Sequence, residues 1–109
     1  MTDKTRKYLF DILESVESIE SYIENIDFFQ YQKNKMVRRA VEREFEIIGE
    51  ATNDLLKLDD KLNISGGKRI IGMRNRVIHG YDKVDDVIIW GILTNHLPKL
   101  KDQVEKLMK

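Results

Sequence analysis

Residues 2–26 read TDKTRKYLFDILESVESIESYIENI. Leu9, Ile12, Val16, Ile19, Ile23 and Ile26 recur at alternating spacings of three and four, a rhythm that lays one apolar seam along a helix. Thr2 or Asp3 is placed to cap its start. Glu14, Glu17, Glu20 and Glu24 form an acidic ridge beside the seam, and the helix is expected to fade between Asn25 and Phe29. The same rhythm returns from Asn34 to Lys57 through Val37, Val41, Phe45, Ile48, Thr52 and Leu55, with Asn34 as the N-cap. Ala40, Ile47, Ala51 and Leu56 widen that stripe. Gly49 interrupts it at about 1 kcal/mol relative to alanine, which points to close packing against another backbone.

Beyond these two segments the pattern breaks at LDDKLNISGGKR, residues 58–69. A shorter third helix is expected from Gly67 to His79, with Gly80 as its stop. A fourth is expected from about Val84, where Asp85 and Asp86 suit the positive end of a helix. Its buried stripe is Ile89, Leu93, Leu97, Leu100, Val104 and Leu107, and Pro98 should kink it or split it after Asn95 or His96. The reading is all-α: an up-and-down bundle of four to five helices forming one domain over residues 1–109. The apolar width of the first two helices points to a face that meets a partner subunit.

Composition narrows the function classes. Hydrophobic residues make up 41% and charged residues 35%, with one proline, six glycines and no cysteine. No apolar run is long enough to span a membrane. The charged start, MTDKTRKYLF, lacks the apolar core of an export signal, so a cytoplasmic location is expected. The absence of cysteine excludes disulfides and thiolate metal sites. Net charge is zero but uneven: −4 over residues 1–32, +4 over residues 33–83 and zero thereafter. A local positive excess can hold a polyanion even on a neutral protein, although ordinary solvated helix faces would show the same counts.

That excess surrounds GMRNRVIHGY, residues 72–81. A histidine moves protons near neutral pH, and an arginine holds phosphate oxygens in a rigid fork. Together they suffice to cleave RNA without a metal. Imidazole takes the ribose 2′-hydroxyl proton or gives one to the leaving oxygen, and guanidinium stabilises charge on the transition state. Arg74 and His79 stand about 140° apart around an ideal helix, whereas Asn75 and His79 share a face. A two-fold dimer would let one copy's arginine meet the other's histidine. Against this, a histidine at a helix end can simply cap carbonyls, and the arginines can be surface charges. Asp59–Asp60 and Asp85–Asp86 read as caps, His96 has too few companions for a zinc site, and SGGKR lacks P-loop spacing. Trp90 reads as core, and Tyr8, Tyr22 and Tyr31 as seam or interface residues.

RRAVEREFEIIGEA (residues 38–51), IIGMRNRVIHGYDKVDDVIIWGIL (residues 70–93) and LPKL (residues 97–100) resemble the HepT-like proteins of the HEPN superfamily. Their signature, R-x4-H-x-Y, is met by Arg74, His79 and Tyr81. The resemblance implies an all-α HEPN fold and a homodimer with the motif at its interface. It implies a metal-independent endoribonuclease, free of cofactors, that acts on tRNA or mRNA as the toxin of a toxin–antitoxin pair. The implied partner is a minimal nucleotidyltransferase of the MntA type, which silences the toxin by attaching AMP to the motif tyrosine, here Tyr81, with a larger hetero-oligomer left open. Arg74 and His79 would be catalytic, Asn75 supporting, and Arg69 and Arg76 candidate phosphate contacts. Two other readings remain: a non-catalytic helical subunit that docks a nucleotidyltransferase and binds RNA or nucleotide, and a plain structural bundle.

Overall fold

A computed structural model describes residues 2–62, 64, 70–72 and 86–109. These residues form an all-α bundle with no strand among them. The helices are α1 (Asp3–Ile23), α2 (Phe28–Lys33), α3 (Lys35–Leu58), α4 (Asp86–Asn95) and α5 (Leu97–Met108), and residues 70–72 are also helical.

The α1 seam is buried as its spacing predicts: Leu9, Ile12, Val16 and Ile19 are fully enclosed, and Ile23 and Ile26 are partly so. Thr2 caps the helix, its hydroxyl accepting from the Thr5 N–H at 3.1 Å. Across the seam, α3 contributes Val41, Phe45, Ile48 and Leu55, and Gly49 and Thr52 are buried beside them. Asn34 is the α3 N-cap, accepting from the Val37 N–H at 3.1 Å. The two helices run antiparallel. Tyr22, near the end of α1, donates its hydroxyl hydrogen to Glu44 at 2.8 Å, whereas Lys7, Tyr8 and Asp11 line a groove with Glu50, Ala51 and Asp54.

The chain between them is not the simple fade that periodicity suggests. Asn25 adopts φ 63°, a left-handed conformation that asparagine tolerates better than most residues, and this turns the chain out of α1. Asp27 then opens a capping box. Its carboxylate accepts from the Gln30 N–H at 2.8 Å, and the Gln30 side chain accepts from the Asp27 N–H at 2.9 Å. The resulting six-residue helix, α2, is too short to show a seam in sequence. It buries Tyr31 completely.

At the other end, the expected split at proline occurs. α4 ends at Asn95, His96 is the N-cap position of α5, and Pro98 lies in the first turn of α5, where no intrahelical N–H bond is lost. Ile89, Leu93, Leu97, Leu100 and Val104 are buried, and Leu107 packs at the margin. The fourth helix starts at Asp86 among the described residues, two positions after the expected Val84; residues 84 and 85 lie outside them. An ion pair from Lys101 to Glu20, 2.9 Å, ties α5 to α1 at a half-exposed position where such pairs contribute little. Ile64 and Ile70 join the same core from the stretch between α3 and α4.

Phe45 is fully enclosed between the two long helices. Phe45→Ala is expected to cost about 3–5 kcal/mol, by lost burial plus an unfilled cavity. Thermal denaturation followed by circular dichroism should show the midpoint falling by about 15 °C or more.

Candidate active site

Arg69, Arg74, Asn75, Arg76, His79, Gly80 and Tyr81 all lie outside the described residues, as does the expected third helix apart from residues 70–72. What the structure describes is the frame on either side of them. On the upstream side, Ile70 is sunk in the core and Gly72 closes the described helical turn, two residues before Arg74. A side-chain carbon at Gly72 would meet nothing within 4 Å among the described residues. On the downstream side, α4 begins at Asp86, five residues after Tyr81.

Three helices converge on that downstream point. Trp90, one turn into α4, packs its ring against Tyr31 at 5.2 Å and Phe28 at 6.1 Å, both in tilted geometry. The tryptophan is partly buried against the core, and it fastens α2 to α4. Burial is the main cause that pushes the Tyr31 phenol far above its ordinary value, with the Asp86 and Glu42 carboxylates adding to it and the Arg38 guanidinium opposing. The phenol thus stays protonated, and its hydroxyl has no hydrogen-bond partner among the described residues. Glu42, on α3, is raised above the ordinary carboxylate range, first by burial. Arg39 and Arg38 oppose that rise, and Asp86 and Glu46 reinforce it. Arg38 is itself held by a hydrogen bond from its guanidinium to the Gln32 carbonyl.

So a buried phenol, two carboxylates and the Arg38 guanidinium lie within electrostatic range of one another beside the first described turn of α4. Sequence reading placed Asp86 at the start of this helix as a cap and Tyr31 as a seam or interface residue, but did not bring either together with Glu42. Their one advance signal was the RRAVE block, in which Arg38, Arg39 and Glu42 fall within one turn and a half of helix. No group of three or more histidine, aspartate or glutamate side chains suited to a metal occurs among the described residues. His96, at the start of α5, makes no side-chain capping bond.

Comparison with known proteins places the chain in a family. The model described as Ribonuclease HepT-like matches residues 12–107. "Putative RNase MJ1380" of Methanocaldococcus jannaschii is 37% identical over 101 residues, covering 92% of this chain and 93% of that protein. "Probable ribonuclease HepT" of Thermococcus cleftensis is 35% identical over 108 residues, covering 95% and 96% respectively. No solved structure matches. The chain belongs to the HepT-like family.

Glu42 gives a pH signature. A carboxyl whose folded pKa is raised binds its proton more readily in the native state than in the unfolded chain. Its ionised form therefore weighs against folding above the ordinary glutamate pKa, and the penalty fades as pH falls through the raised value towards the ordinary one. Glu42→Gln is expected to raise the thermal midpoint at pH 7 and to leave it unchanged at pH 4. Paired melts of the two proteins across that range measure the difference.

Proposed function

We propose that this protein is a metal-independent endoribonuclease and the toxin of a toxin–antitoxin pair, built as one HEPN-like helical domain. The observation that carries the reading is the complete Arg74-x4-His79-x-Tyr81 motif within a chain whose HepT-like match runs over residues 12–107. The printed names of the relatives as ribonucleases support it.

The chemistry follows from the residue types. His79 takes the proton of a ribose 2′-hydroxyl, whose oxygen attacks the adjacent phosphorus, or returns a proton to the departing 5′-oxygen. Substrate supplies the nucleophile, and the products are a 2′,3′-cyclic phosphate and a free 5′-hydroxyl. Arg74 stabilises the charge that builds on the equatorial oxygens. Asn75 orients the histidine, and Arg69 and Arg76 contact flanking phosphates. In a homodimer with the motif at its interface, each site combines groups from two copies. The described frame suits this scheme because both ends of the motif segment are anchored in packed structure: Ile70 upstream, and the Trp90–Tyr31 contact downstream.

Regulation acts on Tyr81. A nucleotidyltransferase antitoxin brings ATP, the phenol oxygen attacks the α-phosphorus, and pyrophosphate leaves. The attached adenylate puts bulk and negative charge where an RNA phosphate must dock, so it competes for Arg74.

His79→Ala and Arg74→Ala are each expected to lower the rate of RNA cleavage by about a hundredfold or more while leaving the far-ultraviolet circular dichroism unchanged. Full activity in His79→Ala would sink the nuclease reading and leave the non-catalytic binding subunit in its place. Tyr81→Phe separates control from chemistry. The variant should still cut RNA, should gain no adenylate mass on co-expression with the antitoxin, and should escape neutralisation; equal silencing of the variant would replace modification by steric masking.

A further inference from the structure

Among the described helices, the corner where α2 turns into α3 is markedly basic. Residues 28–41 carry Lys33, Lys35, Arg38 and Arg39 and not one carboxylate. Asp27, just before this stretch, is engaged in the α2 capping box. Glu42, just after it, is the half-buried carboxyl held above its ordinary range. Lys33, Lys35 and Arg39 are exposed, whereas Arg38 is half-buried.

Apolar groups stand among these cations. Phe29 is 60% exposed and Met36 77% exposed, unusual for side chains of that size. The Lys33 ammonium lies 4.0 Å from the centre of the Phe29 ring. Ile26, Phe29, Gln30, Lys33, Asn34 and Lys35 line a shallow open groove across the corner. The side chains of Gln30 and Asn34 are already engaged as helix caps, so the groove is rigid at its polar points.

The position of the corner matters as much as its charge. Phe28 and Tyr31 brace Trp90 of α4, and Phe29, between them in sequence, faces solvent. The exposed patch therefore sits on the short helix that braces the first described turn of α4.

We propose that the α2–α3 corner is a second contact surface for single-stranded RNA, outside the motif, with Phe29 stacking on an unpaired base and Lys33, Lys35 and Arg39 contacting the backbone. The inference rests on the ribonuclease reading for the identity of the polyanion. Single strands are favoured over duplex because an exposed ring can use only a base that is free of its pair. The positive charge supplies sequence-independent attraction that extends the footprint beyond the scissile phosphate.

The test separates binding from cleavage. Full-length protein carrying His79→Ala is titrated into a fluorescently labelled 20-nucleotide single-stranded RNA, and polarisation is followed from 50 to 200 mM salt. Adding Lys33→Gln, Lys35→Gln and Arg39→Gln together should weaken binding about tenfold or more and flatten the logarithmic salt dependence by about 2, three contacts at ~0.7 each. Phe29→Ala should weaken binding to the single strand about tenfold and leave duplex RNA unaffected. With His79 intact, the triple variant should cut a trinucleotide at the normal rate and the 20-mer with a raised KM.

Unchanged affinity and salt dependence in the triple variant, with cleavage of the 20-mer intact, would overturn the surface while sparing the nuclease reading. Binding with the expected salt dependence but no cleavage by the unaltered chain would do the reverse. If light scattering shows that the triple variant falls from dimer to monomer, the corner belongs to a second copy of this chain and the RNA assignment is overturned.

Discussion

The bundle depends on one pairing: the antiparallel contact of α1 with α3 along their apolar seams. Leu9, Ile12, Val16 and Ile19 face a row that includes Val41, Phe45, Ile48 and Leu55, and all eight are fully enclosed. Each fully buried side chain of this size contributes about 1.5–3 kcal/mol over its exposed state, so this row is the largest block of apolar burial in the described structure. The remaining helices are short by comparison, and α2, with six residues, could not persist in water without a surface to lie on. Both α5 and α2 are laid against the long pair, and α4 is joined to it through them. Ile64 and Ile70 anchor the connecting chain in the same core.

From that pairing follows the placement of the functional frame. Because α1 and α3 fix the base, α2 can brace Trp90 and so hold the first described turn of α4. The beginning of α4 is also where Asp86 comes within electrostatic range of Tyr31 and Glu42. Burying a phenol with no partner among the described residues, beside carboxylates, opposes folding locally. Such a cost is tolerated where the surrounding packing is strong, and it is often met beside sites that do chemistry. Charge in this protein is likewise segregated by element. The acidic ridge lies on α1 and a carboxylate-free basic stretch on α2 and the first turns of α3, so a polyanion is repelled from one face and attracted to another.

Much of this architecture was legible in the sequence because it is local. The seams repeat for about four turns in α1 and five in α3, and a pattern that long admits only one helical face. Asn34 and Thr2 cap through side chains that reach three residues, and Pro98 forces a break wherever it sits. The short α2 was missed because six residues carry no readable period. Its capping box, Asp27 with Gln30, was the available signal, but it is not followed by the long apolar run that usually marks a helix start. The convergence of Tyr31, Glu42 and Asp86 was not legible at all, since it joins residues up to 55 positions apart and no spacing rule reaches that far. The candidate catalytic residues were read from a motif and a family resemblance. Spacing alone left Arg74 and His79 on different sides of a helix, so no single-chain pattern brings them together.

The chain has a single tryptophan, and its ring is wedged between two aromatic neighbours from another helix. Its emission is therefore an intrinsic optical gauge of whether α2 remains seated on α4. Ligand or subunit association that disturbs this joint would alter the colour and intensity of the protein's own fluorescence, with no dye attached.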